Sequence, residues 1–205
     1  MNVRLLLIGL LASFAGVVGA LAVIPGAIDG ILPKRDSVTI GKALVGGPFE
    51  LTAHTGQRVR DTDYRGKLML VNFGFTHCPD ICPAGLQVIT AALDRLKGGA
   101  DRVAPLFITI DPERDSPTQL KSYVASFHPN LTGLTGTAED ISSVAKAYRV
   151  YYRKAQNPDL SDYTMDHTSF MYLMDGKGEF ITHFPHAVTP DKLAERLELE
   201  LTRQP

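Results

Sequence analysis

Two cysteines, each followed by a proline, stand between an apolar run and a helical repeat, and this junction restricts the fold more than any other part of the chain. Lys67 to Phe75 (KLMLVNFGF) is dense in apolar and aromatic residues and follows Gly66, the pattern of a strand buried on both faces. After Pro83, the positions Leu86, Ile89, Leu93 and Leu96 recur at helical spacing until Gly98-Gly99 stops them. Between the two lies Thr76-His77-Cys78-Pro79-Asp80-Ile81-Cys82-Pro83. Proline disfavours helical geometry for the residue before it and is itself suited to the first helical position. The segment therefore reads as a strand, a loop that carries Cys78, and a helix capped by Cys82 and begun by Pro83.

The rest of the body repeats that unit. Phe49 to Thr52 reads as a short strand with Gln57 to Arg60 as its hairpin partner. Val103 to Ile110 (VAPLFITI) is a second buried strand, and Ser116-Pro117 with Gln119 launches a helix to about Phe127. Leu131 to Leu134 is another short strand, and Thr137 with Asp140 is a capping box for a helix whose apolar face is Ile141, Val144, Ala145 and Tyr148. Val150 to Arg153 reads as extended. Ser169 to Met174 and Glu179 to Phe184 flank the turn Asp175-Gly176-Lys177-Gly178, and Thr189-Pro190 caps a last helix with Leu193, Leu197 and Leu201 on its buried side. Strands alternating with helices, then a hairpin and a terminal helix, predict an α/β fold: a thioredoxin-like mixed sheet with helices on both faces.

One segment stands apart from that body. Leu5 to Ile24 carries no charge and only Ser13 as a polar side chain, and as a helix it would span about 30 Å, the thickness of a bilayer core. Residues 1–30 are read as an N-terminal transmembrane anchor, with a cleaved signal peptide as the alternative because Ala20-Leu21-Ala22 offers a small-x-small site. Residues 31–45 are a linker and 46–205 the folded domain. Arg4 ahead of the apolar run places the N-terminus in the cytoplasm and the domain outside. The economical localisation is a bacterial inner membrane, single-pass, with the domain in the periplasm. With 21 Lys+Arg against 22 Asp+Glu and no basic run, the chain lacks the electrostatic footprint of a nucleic-acid binder.

With only two cysteines in the chain, a network of disulfides stapling distant loops is excluded and a local thiol pair remains. At the start of a helix both sulfurs meet unpaired amides and the positive end of the macrodipole, which favours thiolates. A soft cation such as Cu(I) relieves their mutual repulsion, and thiolates select copper(I) or zinc. The rivals are buried apolar filling, a structural disulfide, and above all a dithiol oxidoreductase, although redox proteins of this fold usually space their cysteines by two residues rather than three. A third ligand would come from the histidines. His77 points away from its neighbour Cys78, while His54, His128, His183 and His186 sit in loops or at the hairpin end. His167, in a loop before a core strand, is placed to fold over the cysteines.

The stretch Phe73-Gly74-Phe75-Thr76-His77-Cys78-Pro79-Asp80-Ile81-Cys82-Pro83 resembles the signature of the Sco/SenC family of copper-binding, membrane-anchored assembly factors for cytochrome c oxidase. Gly46-Gly47-Pro48-Phe49, Ile110-Asp111-Pro112-Glu113-Arg114-Asp115, and Asp166-His167-Thr168 followed by Met171-Tyr172-Leu173 resemble further family motifs in the same order, so the likeness runs from about residue 46 to 186. Asp175-Gly176 departs from the Asp-Pro often found at the family's hairpin. The resemblance implies Cys78, Cys82 and His167 as copper ligands, for Cu(I) and, with a harder fourth ligand, Cu(II). It also implies Asp111 as a carboxylate that tunes the site. The expected role is a copper chaperone serving the copper-accepting subunit of cytochrome c oxidase and loaded by a copper donor chaperone. The alternative is a thiol-disulfide reductase that keeps the recipient's cysteines reduced.

Overall fold

In the computed structural model, residues 44–156 and 162–204 are described. The expected anchor and nearly all of the linker lie outside them, and among the described residues no helix is long and apolar enough to cross a membrane.

The strands are β1 (Glu50–Ala53), β2 (Arg58–Arg60), β3 (Leu68–Gly74), β4 (Val103–Thr109), β5 (Thr132–Thr135), β6 (Tyr152–Ala155), β7 (Thr164–His167), β8 (Phe170–Met174) and β9 (Phe180–Pro185). The helices are α1 (Ile81–Leu93), α2 (Pro117–Val124), α3 (Ala138–Ala147) and α4 (Pro190–Arg203). Seven strands form one sheet in the order β2-β1-β5-β4-β3-β8-β9, and β6 with β7 makes a separate two-stranded sheet. The central strands β3, β4 and β5 run parallel, while β1, β8 and β9 add antiparallel to their neighbours. Parallel strands need helical crossovers; the two that supply them, α1 and α2, pack with α4 on one sheet face, and α3 covers the other. Every residue of β3 and of β4 is accordingly buried.

The alternation of a strand's side chains divides the core in two. Leu68 and Leu70 face Leu86, Ile89 and Leu93 of α1 and Leu193 and Leu197 of α4. Met69, Val71 and Phe73 face Ile141, Val144 and Tyr148 on the α3 side. The expected mixed sheet with helices on both faces is therefore present.

Local signals set the helix starts as read. Ser116 Oγ accepts from the Gln119 amide at 3.2 Å with Pro117 as the first helical residue, Thr137 and Asp140 form the reciprocal capping box, and Thr189 Oγ1 accepts from the Lys192 amide at 3.4 Å. Two expectations fail. The helix after the cysteines starts at Ile81 with Asp80 as N-cap, so Cys82 lies inside the first turn instead of capping it. Proline is tolerated there because first-turn amides have no intrahelical acceptor to lose. His167 ends strand β7 instead of lying in a loop, paired in register with Tyr152 of β6. Thr164 to His167 carries too short an alternation of apolar and polar residues to mark a strand.

Candidate metal and thiol site

The end of β3 makes room for a sulfur. A Cβ placed on Gly74 would lie 2.7 Å from Phe107 Cε2 and 2.8 Å from Cys82 Sγ, so a side chain there would displace the thiol or the ring. Cys82 is buried in that space, whereas Cys78, in the loop ahead of α1, is half-buried.

The first turn of α1 joins the two cysteines. Asp80 makes no side-chain cap, and the Cys82 amide donates to Cys78 Sγ at 3.4 Å, so a sulfur takes the place of the usual oxygen acceptor. The Cys78 thiol is pulled down to about 5, first by a hydrogen bond from the Cys82 side chain and then by the Cys82 and Asp80 amides, against the opposing effect of burial. Cys82 is driven the other way by its bond to Cys78 and by burial. One proton is shared unequally: Cys82 keeps it and Cys78 carries the charge. The result is a reactive, partly exposed thiolate beside a buried thiol.

The β6–β7 arm brings the remote histidine to this pair. His167 Nδ1 lies 2.9 Å from the Thr168 carbonyl. A carbonyl only accepts, so Nδ1 carries the proton and Nε2 presents its lone pair. Nε2 stands 3.8 Å from Cys82 Sγ, across 85 residues of sequence. The imidazole meets Phe75 edge-on, with ring centroids 6.1 Å apart. The structure thus brings all three sequence-predicted residues to the C-terminal end of β3. Among the described residues no three His, Cys, Asp or Glu side chains are drawn together tightly enough to enclose a metal ion. The donor chemistry, two sulfurs and an imidazole nitrogen, suits copper(I).

Asp111 is 1% exposed and both of its oxygens are engaged. Oδ2 accepts from Arg114 Nε at 2.5 Å and Oδ1 from the Tyr163 hydroxyl at 2.8 Å. Arg114 also donates to the Tyr163 carbonyl at 2.9 Å, with its guanidinium carbon 3.7 Å from the centre of the Tyr163 ring. Burial and the Asp111 bond push the Tyr163 phenol up to about 12. This cluster fastens the approach to β7 onto the turn after β4. In that arrangement Asp111 acts as a clamp.

The other histidines have different partners. His77 is half-exposed, with Nδ1 3.2 Å from Thr76 Oγ1. His54 and His128 accept the amides of Gly133 and Asn130, each at 3.1 Å. His183 packs between Phe170 and Phe180, and His186 is exposed. Sequence reasoning missed Asp115, which is wholly buried and grips Thr76 just ahead of Cys78. Its signal was the pair of acids four residues apart within Asp111 to Asp115.

A family model described as SCO1/SenC matches residues 37–202. The human mitochondrial protein SCO1 homolog is 48% identical over 155 residues, 75% of this chain, and the chain spans 52% of that relative's length. Bradyrhizobium japonicum ScoI with copper bound is 45% identical, with a TM-score of 0.71 over 76% of this chain and 99% of that one. BsSco, described with a disulfide switch and as a member of the Sco family of cytochrome c oxidase assembly proteins, is 26% identical, with a TM-score of 0.61 over 78% of this chain and 94% of that one. The mixed sheet described above is the thioredoxin-like fold of these proteins, and the chain belongs to the SCO1/SenC family.

Proposed function

We propose that the chain is a copper chaperone that holds copper through Cys78, Cys82 and His167 and passes it to the copper-accepting subunit of cytochrome c oxidase. The observation that carries this reading is the approach of His167 Nε2 to within 3.8 Å of Cys82 Sγ, with Nδ1 already committed to a carbonyl. A histidine oriented in this way presents a lone pair to whatever the sulfurs hold. The copper bound to related ScoI supports the same assignment.

As cargo, copper would neutralise the two sulfurs, and the protein's own residues prepare its entry and exit. Cys78 offers the charged, accessible sulfur, Cys82 gives up its proton on binding, and His167 closes the set from the β6–β7 arm. An incoming thiolate or imidazole from the recipient can displace these donors one at a time without opening the core. In this reading residues 1–30 anchor the domain in a bacterial inner membrane, facing the periplasm, and raise its effective concentration near a membrane-bound recipient. A copper donor chaperone loads it.

The test is copper stoichiometry and Cu(I) affinity of the full chain as wild type, Cys78→Ala and His167→Ala. The wild type should bind stoichiometrically, and each variant should lose at least about a hundredfold in affinity, the upper end of the cost of removing even an outer partner of a metal site. Three chains that bind alike would end the copper reading.

A second reading is favoured by the unequal thiols. A lowered Cys78 beside a raised Cys82 is the arrangement of an attacking and a resolving cysteine, and BsSco is described with a disulfide switch. In a thiol-disulfide reductase the Cys78–Cys82 pair would reduce the recipient's disulfide and leave as a disulfide itself. His167→Ala separates the roles: it should leave that turnover nearly intact while copper binding falls.

A further inference from the structure

Asp115 is the most deeply buried carboxyl near the site, at 0% exposure, and the reading above gives it no task. Its Oδ2 accepts from the Thr76 amide at 3.0 Å and from Thr109 Oγ1 at 2.6 Å, and its Oδ1 accepts from Thr76 Oγ1 at 2.6 Å. Among the described residues the only basic side chain within ion-pair distance is half-exposed His77, at 3.8 Å. A carboxylate buried without a close cation is costly unless donors fill its oxygens, and here the Thr76 amide and the Thr76 and Thr109 hydroxyls do so. What the carboxylate provides is geometry.

That geometry acts on the thiol loop. Gly74 and Thr109 are paired at the ends of β3 and β4. Asp115 reaches back from the turn after β4, binds Thr109 at the strand end, and holds Thr76 by both backbone and side chain. Thr76 lies inside the tight turn in which the Cys78 amide donates to the Phe75 carbonyl at 3.2 Å. With its proton given to Asp115, Thr76 Oγ1 is left to accept from Gln119 Nε2 at 3.3 Å, which ties the same residue to α2. The turn is thus fixed on both sides two residues before Cys78, whose sulfur must reach the Cys82 amide.

We infer that Asp115 is a positioning residue: its grip on Thr76 sets where Cys78 stands over the first turn of α1, and so sets the distance between the two sulfurs. The consequence for copper rests on the chaperone reading, but the consequence for the thiol pair does not. Asparagine can keep the placement, because its oxygen can accept the Thr76 amide and the Thr109 hydroxyl while its NH2 donates to Thr76 Oγ1. Alanine cannot.

The experiment uses the full chain as wild type, Asp115→Asn, Asp115→Ala and Thr76→Val, with two readouts. The first is the equilibrium between the Cys78–Cys82 dithiol and its disulfide in a glutathione buffer, where each disulfide formed converts one oxidised glutathione to two reduced ones. The second is Cu(I) affinity by competition with a chromophoric chelator. Asp115→Asn should stay within about threefold of wild type in both, while Asp115→Ala and Thr76→Val should each fall by about tenfold or more. Should Asp115→Ala fail to fold, Thr76→Val decides alone, since it keeps the amide grip and the side-chain shape. Positioning is overturned if the folded Ala or Val variant matches wild type in the disulfide equilibrium. It is also overturned if Asn falls as far as Ala, which would assign the effect to charge. A wild type that binds no copper would remove the chaperone reading and leave the disulfide readout to judge Asp115.

Discussion

The backbone amide of Cys82 points at the sulfur of Cys78 from 3.4 Å, inside the first turn of a helix whose N-cap side chain contributes nothing. The cysteine outside the helix is thereby the helix's cap, and the cysteine inside it is the donor. The two thiols cannot be treated as independent groups, and their chemistry follows from that dependence.

Alkylation should reveal the inequality. In the metal-free, reduced chain, iodoacetamide should modify Cys78 first, with a pH–rate midpoint near the lowered value of about 5 and far below an ordinary thiol. In Cys82→Ala the largest cause of the lowering is gone, so the midpoint should move up. Mass spectrometry of the modified peptides reads both, and equal labelling of the two cysteines at pH 6 would contradict the shared proton.

The same inequality gives stability a direction. Between about pH 5 and the ordinary thiol range, the unfolded chain holds a proton on each cysteine while the folded pair holds one, on Cys82. The unfolded state binds more protons, so the pair's contribution to stability should rise with pH across this window. Cys78's share is lost as pH falls through about 5. Above the ordinary thiol range the unfolded chain has released both protons while Cys82 keeps its own, and the slope should reverse. Urea unfolding of the metal-free chain at several pH values, compared with Cys78→Ala/Cys82→Ala, isolates the effect.

Gly74→Ala should damage fold and site together. The added methyl would lie within 3 Å of both Phe107 and Cys82 Sγ in a fully buried strand. Overpacking of this kind costs about 1–3 kcal/mol. Thermal melting should show the loss, and Cys82 should become accessible to alkylation in the folded state.

Arg114 holds a buried acid. Arg114→Ala leaves Asp111, 1% exposed, with the Tyr163 hydroxyl and no cation, and breaking a buried pair from one side costs about 3–5 kcal/mol. Because Arg114 also holds the Tyr163 carbonyl, His167 should lose its place, and copper affinity should fall even under conditions where the domain stays folded. Arg114→Lys keeps a cation and should recover part of the stability.

A cap change remote from the sulfurs serves as the contrast. Thr137→Ala removes the acceptor for the Asp140 amide and should cost about 1 kcal/mol with no effect on copper or thiol chemistry.

The parts of this fold that were legible in the sequence are those written locally. Ser116-Pro117, Thr137 with Asp140, and Thr189-Pro190 each satisfy first-turn amides from within four residues, and KLMLVNFGF and VAPLFITI have the length and composition of buried strands. The cysteine pair was legible for the same reason. The start of α1 was misread because proline statistics favoured Cys82 as cap, whereas the Cys78 sulfur supplied an acceptor that no propensity includes. Strand β7 was missed because its partner β6 lies outside the main sheet, and the residue leading into it, Tyr163, is held by Arg114 and Asp111 from about 50 residues away. Asp115 was missed because a buried acid looks like any acid until the donors to it are counted.

The separate pairing of β6 with β7 divides the donors between two cooperative units. The sulfurs sit on the loop and helix that follow β3, a central strand of the seven-stranded sheet, whereas the imidazole rides on a ribbon that, among the described residues, shares no ladder hydrogen bonds with that sheet. Under mild denaturant the nitrogen should therefore depart in a subglobal opening before the sulfurs do, with β7 amides exchanging ahead of those of β3. A metal held by all three would then be worth more to the ribbon than to the sheet.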